Sequence, residues 1–350
     1  MKIKSHACEL RLANPWRIAG RKGSGTHRTV IVELTDDDEA WAIGEAAPSV
    51  LYGESVEGVL DVLAQLDAAK LSFRDVAGSM DYLENVPGIP VAAKCALNVA
   101  LLDGAAKADG KALYDFLGLG FRENHHVTSF SIGIDSPEII RKKALEAAEY
   151  PVLKLKMGDS RDKENFSALR RAAPEKPVRL DGNEGWKTKE EALRMVEWLV
   201  ATDKNIQFVE QPMPRDANEK DLAWLKERSP LPLFADESCH AGMDIGRCSE
   251  FFHGVNVKLV KTGGVSMAYE TLQAARKAGL RTMIGCMIET SVLISAAAHL
   301  AELADFLDLD GNVLITNDPF QGVTSKNGIL SFANTKERRG LCVSPRRWAD

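Results

Sequence analysis

Apolar and polar positions divide the chain into two stretches with different periods. Residues 1–12 and 29–35 alternate as strands do, and a charged turn at 36–38 leads to a third strand over 40–45. Between the first two lies 13–27, rich in Gly, Arg and Lys and without a clear period, which predicts a flexible loop. A second polar loop follows at 48–55. From 56 to about 117 apolar residues recur at i, i+3 and i+4, as over 91–107, which predicts helices. This N-terminal third reads as α+β.

From residue 127 short apolar runs take over: VTSFSIGI from Val127, PVLKLKM from Pro151, PVRLDGN from Pro177 and IQFVEQP from Ile206. LPLFADES from Leu231, VNVKLVK from Val255, RTMIGCM from Arg281 and FLDLDGN from Phe306 complete them. Each except the last is followed by a candidate helix, and the spacing of roughly 25 residues suits one βα unit. Eight units in about 200 residues predict a closed parallel barrel. An open doubly wound sheet is the alternative. However, no G-x-G-x-x-G follows a strand, and Lys261-Thr262-Gly263-Gly264 lacks the spacing of a phosphate loop. The expected fold is therefore α/β, a (β/α)7β-type TIM-like barrel over 123–322, preceded by an α+β capping domain over 1–122. The segment 323–350 is expected to return to the capping domain.

Composition narrows the function. The chain has 350 residues, 45% hydrophobic and 27% charged, with net charge −6, as in ordinary globular proteins. No basic run suggests nucleic acid. No run of about 18 apolar residues suggests a membrane span, and the N-terminus lacks a signal-peptide core. Six scattered cysteines, never C-x-x-C, fit a reducing cytoplasm.

A parallel barrel strand is buried on both faces and should be almost wholly apolar. Here charges stand at the C-terminal ends of the runs, where barrel active sites lie: Lys154 and Lys156, Asp181, Glu210, Asp236, Lys258, and Asp308 with Asp310. Any one of them could be a helix cap or a solvated charge. Together, the carboxylates of three consecutive strands would repel strongly unless a cation joined them. An all-oxygen set favours Mg²⁺ over Zn²⁺. Cys239 and His240, just beyond Asp236, read as structural neighbours. Lys154 and Lys156 share one strand face, and Lys258 lies across the barrel mouth. Mutual repulsion and the metal are expected to depress the lysine pKa values and make a base. Salt bridges that merely hold the carboxylates are the plain alternative. A metal on a substrate carboxylate stabilises the enediolate left when the α-proton departs. Two opposed bases permit epimerisation, whereas one base with a leaving group gives elimination.

The chain resembles the enolase superfamily, in its muconate-lactonising subgroup, and most closely the dipeptide epimerases of the L-Ala-D/L-Glu type. The resemblance rests on L-K-L-K-M-G at 153–158, L-D-G-N-E-G-W at 180–186, F-V-E-Q-P at 208–212, F-A-D-E-S at 234–238, V-N-V-K-L-V-K-T-G-G at 255–264 and D-L-D-G at 308–311. It implies that Asp181, Glu210 and Asp236 hold Mg²⁺ and that Lys156 and Lys258 are the acid/base pair, Lys258 being favoured over Lys261. Lys154 would bind the substrate carboxylate and tune Lys156, with Asn183 and Glu237 in support. Gly182 and Glu184 depart from the family's more usual D-A-N-Q-G-W. The resemblance also implies that Asp308 and Asp310 bind the ammonium of a dipeptide, and that 13–27 is a lid whose Arg21 meets the side-chain carboxylate of a C-terminal Glu. Arg17, Lys22 and Arg28 add positive charge to that loop. A second lid is expected at 48–55 with Tyr52. A muconate cycloisomerase or o-succinylbenzoate synthase acting on a non-peptide carboxylate is the alternative, disfavoured by the D-x-D pair. A sugar-acid dehydratase is disfavoured because the seventh run carries no His. A metal-containing binding protein is disfavoured because ligands and lysines are all present. A homo-oligomer is compatible with such a barrel.

Overall fold

The computed structural model describes residues 1–20, 23–240 and 242–346, the side chain of Met243 excepted. β1 (Lys2–Trp16), β2 (Ser24–Thr35) and β3 (Trp41–Ala46) form an antiparallel sheet in the order β1-β2-β3. The stretch 13–27, expected as a loop, is thus mostly strand. β1 and β2 stay paired past Arg11 through a register shift that sets Trp16 opposite Ser24. Such an irregularity erases strict alternation and hides the strand from a period-two reading.

Helices α1 (Val56–Leu63), α2 (Val76–Glu84), α3 (Val91–Ala108) and α4 (Leu113–Phe116) follow. Most residues of α3 are buried, all round the helix. It is covered by β3 on one side and by barrel helices on another, so it needs no polar face. Gly44 of β3 sits on the α3 backbone, where a Cβ would collide with the Ala96 carbonyl.

The barrel strands are β4 (Phe130–Ile132), β5 (Leu153–Lys156), β6 (Val178–Asp181), β7 (Ile206–Glu210), β8 (Leu233–Ala235), β9 (Gly254–Val257), β10 (Arg281–Gly285) and β11 (Phe306–Asp308). They alternate with α5 (Pro137–Glu146), α6 (Asp162–Ala172), α7 (Lys189–Thr202), α8 (Glu219–Arg228), α9 (Ile245–Phe251), α10 (Leu259–Thr262), α11 (Val265–Lys277) and α12 (Ser291–Ala298). All eight strands pair in parallel, in chain order. A parallel bridge between Thr128 and Leu307 brings the first strand back to the last and closes the barrel. Phe208, Phe234, Phe306 and Met283 fill its lower interior, with the Arg179 guanidinium 5.0 Å from the Phe306 ring. The barrel is therefore a packed core rather than a pore.

β12 (Phe320–Gln321) pairs with β13 (Ser344–Pro345). Gly340 bridges to Ala112, and the Leu341 N–H donates to Asp103 of α3 at 2.8 Å. No helix among the described residues is long and apolar enough to cross a membrane.

Candidate active site at the barrel mouth

Asp181, Glu210 and Asp236 end, or directly follow, three consecutive strands, and the register sets Asp181 beside Glu210. Their carboxylate oxygens lie within 4.8 Å of one another and all three residues are buried. Backbone and neighbours fix each one. The Asn183 N–H donates to Asp181 Oδ1 at 3.0 Å, and Asn256 Nδ2 donates to Glu210 Oε1 at 2.7 Å. Gln211 accepts at Oε1 from the Asp236 and Ser238 N–H groups, at 3.0 and 3.1 Å, and so ties the end of β7 to that of β8. Glu210 Oε2 is buried and is met by the Lys154 ammonium at 2.7 Å. Three buried carboxylates whose oxygens converge within 4.8 Å, with no thiolate or imidazole among them, fit a hard divalent cation.

The lysines surround this nest. Lys156 Nζ donates to Asp181 at 2.6 Å from the β5 side, and Lys258 Nζ to Asp236 at 2.8 Å from the β9 side. Three strands separate β5 from β9 in a closed ring of eight, so the two approach from opposite sides. Both line the cavity above the nest, which has a volume of about 240 Å³. Lys154 is different. It is 1% exposed, with its ammonium 2.7 Å from Glu210, 2.7 Å from Asp308 and 3.2 Å from Asp181. Lys154 is not depressed as the sequence led one to expect. Burial alone would lower Lys154, but Asp308, Glu210 and Asp181 outweigh it and hold the ammonium well above the ordinary lysine range. Burial is likewise outweighed at Lys258, chiefly by Asp236.

Lys261 was the competing base on the sixth run. Its fully buried ammonium is 2.6 Å from both the Asp236 carbonyl and Oδ1, and 3.1 Å from the Asn256 carbonyl. With three acceptors for three donors, it is a strut beneath Asp236.

Asp308 accepts from Ser129 Oγ at 2.6 Å and from Lys154. Its carboxyl is held well below the usual range because Lys154 and Lys156 outweigh burial. Asp310, which accepts from the Ser131 N–H at 2.6 Å, is pushed up to about 7 by burial and by Asp308. The two carboxylates of the D-x-D pair thus differ: one is neutralised by the protein, the other faces the cavity without a cation of its own. Asn183 Nδ2 reaches Glu237 at 3.3 Å, and burial with the charges of Asp236 and Asp181 raises Glu237 to about 8. Cys239 is buried, and His240 lies edge-on to Tyr52 with ring centroids 5.0 Å apart.

Two turns bring these ends together. A Cβ on Gly158 or Gly185 would enter the other's backbone, so the glycines of K-M-G and E-G-W let the loops after β5 and β6 touch. Trp16, Ile18, Ser24 and His27 line the cavity from the hairpin, and Leu51 and Tyr52 from the second loop. Arg21 and Lys22 lie outside the described residues. Arg17 pairs with Asp159 at 2.8 Å and Arg28 with Glu57 at 2.7 Å, away from the cavity. Sequence reasoning missed Asn256, Gln211 and His27. The first two stand inside quoted motifs, so adjacency to a ligand was the available signal. Nothing in the sequence distinguishes His27.

Comparisons agree with this geometry. Residues 140–320 match the family model described as enolase C-terminal domain-like. The L-Ala-D/L-amino acid epimerase of Pedosphaera parvula (strain Ellin514) is 62% identical over 98% of this chain and 99% of its own. The substrate-liganded L-Ala-D/L-Glu epimerase of Bacillus subtilis superposes with a TM-score of 0.90 at 27% identity, covering 97% of both chains. The dipeptide epimerase of Enterococcus faecalis V583, complexed with Mg and L-Leu-L-Tyr, gives 0.89 at 27% identity over 98% of both.

Proposed function

The chain belongs to the enolase C-terminal domain-like family, and on that footing we propose that it is a Mg²⁺-dependent dipeptide epimerase acting on L-Ala-D/L-Glu or a related Xaa-Glu dipeptide. The observation that carries the reading is the pair Lys156 and Lys258, lining one cavity from opposite strands on either side of a buried carboxylate triad.

Asp181, Glu210 and Asp236 would hold Mg²⁺. Bound there, the cation would supply the positive charge that favours the enediolate form of the substrate carboxylate. The chain's own groups do the rest. One lysine takes the α-proton of the C-terminal residue and the other returns a proton to the opposite face, so the configuration inverts. Lys154, fixed as a cation by its carboxylates, adds a positive charge beneath the substrate carboxylate and next to Lys156. Asp310, with Asp308 behind it, receives the ammonium group, since a carboxylate in a closed pocket with no cation of its own favours one. Asn183 and Glu237 steady the rim. Arg21 remains the proposed partner of an acidic C-terminal side chain. A cytoplasmic setting and a homo-oligomer belong to the same reading.

The test is a dipeptide library incubated with enzyme and Mg²⁺ in D₂O and read by mass spectrometry. A gain of one mass unit on Xaa-Glu peptides supports the reading. Gain only on apolar or cationic peptides keeps the chemistry and removes Arg21 from it. No gain on any dipeptide sinks it in favour of a lyase or cycloisomerase.

A further inference from the structure

Glu184 is the position at which D-G-N-E-G-W departs from the more usual glutamine. Its φ is +62°, a left-handed conformation unusual for a residue with a side chain, and its N–H donates to the Gln211 carbonyl at 2.9 Å. Held there, its carboxylate grips Arg215, in the loop after β7, through three bonds: backbone N at 2.7 Å, Nε at 3.0 Å and Nη2 at 2.8 Å. A two-pronged pair of this kind is stiff. The Arg215 guanidinium in turn lies 5.7 Å from the centre of the Tyr52 ring, within cation–π range. His240, from the loop after β8, meets the same ring edge-on. The loops after β7 and β8 therefore meet on one aromatic side chain of the N-terminal region, and the loop after β6 braces the first of them.

Tyr52 sits in a short turn whose Leu51 and Tyr52 line the cavity while Val50 is 79% exposed. The turn is closed by the Tyr52 N–H to the Ser49 carbonyl at 2.9 Å and the Glu54 N–H to the same carbonyl at 3.1 Å. Its far end is anchored where the Ala92 N–H, at the start of α3, donates to Glu54 at 3.1 Å. On the barrel side the ring rests against Arg215 and His240, and of the two Arg215 is the one braced by a two-pronged ion pair.

We propose that Glu184 and Arg215 are positioning residues: as a pair they form the platform that holds Tyr52 as the cavity wall, and so set the grip on the substrate's C-terminal side chain. The second half rests on the dipeptide reading. With the carboxylate at the triad, the ammonium toward Asp310 and a lysine on each face of the α-carbon, that side chain is left to the apolar part of the cavity wall, to which Leu51 and Tyr52 contribute.

Two readouts separate the platform from the enzyme assignment. Hydrogen exchange of the 51–54 amides reports the platform whatever the substrate. Arg215→Met should speed it at least ten-fold, Glu184→Gln should do so less, and the double variant should match Arg215→Met. For wild type active on L-Ala-L-Glu or L-Ala-L-Leu, Arg215→Met should raise KM about ten-fold and leave kcat within about three-fold. Unchanged exchange at 51–54 in both single variants overturns the platform. Faster exchange with unchanged KM on an active enzyme overturns its role in the grip. A wild type inert toward every dipeptide removes the dipeptide reading and with it the grip, while the exchange result still decides the platform. Should Arg215→Met not fold, Glu184→Gln and Tyr52→Leu carry the same comparison.

Discussion

Replacing Lys261 by methionine separates the strut from the base. Its ammonium is fully buried and serves two carbonyls and Asp236 Oδ1. Methionine fills similar volume but withdraws all three of these bonds, leaving the Asp236 carbonyl only the Cys239 N–H, and removes one of the two nearest cations from a buried carboxylate. Breaking a buried ion pair from one side costs roughly 3–5 kcal/mol. With an unfolding entropy of about 2.1 cal/mol/K per residue, a chain of 350 residues should lose about 4–7 °C in Tm. Lys258→Ala removes a side chain that reaches the cavity and leaves Asp236 with Lys261. Its melting temperature should therefore fall less, while epimerisation drops by roughly 10²–10⁴-fold or more. The assay is differential scanning calorimetry of both variants beside α-deuterium exchange on the same preparations. If Lys261→Met melts within a degree of wild type yet neither exchanges nor epimerises, and Lys258→Ala epimerises normally, the assignment of strut and base is reversed.

Lys156→Ala and Lys258→Ala should each abolish epimerisation but still exchange the α-proton of one stereoisomer, opposite in the two variants; NMR in D₂O on each pure isomer reads this, and normal epimerisation by both would end the two-base scheme. Asp310→Asn should weaken dipeptide binding at least ten-fold and Mg²⁺ binding by no more than about two-fold, as calorimetric titration of each would show; equal losses would contradict an ammonium contact. His299 is buried, accepts from the Tyr114 N–H at 3.2 Å and is lowered to about 3 by burial. Between the unfolded value near 6.5 and that folded value the unfolded chain binds a proton the native one does not. Native stability should thus fall as pH drops through this window, with His299 contributing about 1.4 kcal/mol per pH unit. Urea unfolding of His299→Phe at pH 5 and pH 7 should show a correspondingly smaller difference than wild type, and an unchanged difference would refute the assignment.

The barrel and the triad were legible because the physics of a parallel barrel is strict. A strand covered on both faces is mostly apolar, and apart from Arg179 low in β6 the charges cluster at the rim, so Asp181, Glu210, Asp236, Lys156 and Lys258 stand out against apolar runs. The hairpin was legible only in part. Past Arg11 the pairing shifts register, and the strand character of 13–16 depends on what lies opposite, not on its own alternation.

What the sequence determines by itself is which residues can meet: βα units of regular length fix the strand order, and strand order fixes which rim charges share one mouth. It cannot rank groups that arrive together. Lys258 and Lys261 are one helical turn apart and chemically alike, and only the placement of the Asp236 and Asn256 carbonyls leaves Lys261 without a free donor. Likewise Asp308 and Asp310 read as a matched pair and both line the cavity, yet Lys154 comes from β5 to pair with Asp308 alone. The unexpected glutamate at 184 gains a partner only when the loop after β7 folds beside it. Charge, burial and hydrogen-bond saturation are properties of neighbours in space, and for these residues the neighbours come from other strands and loops.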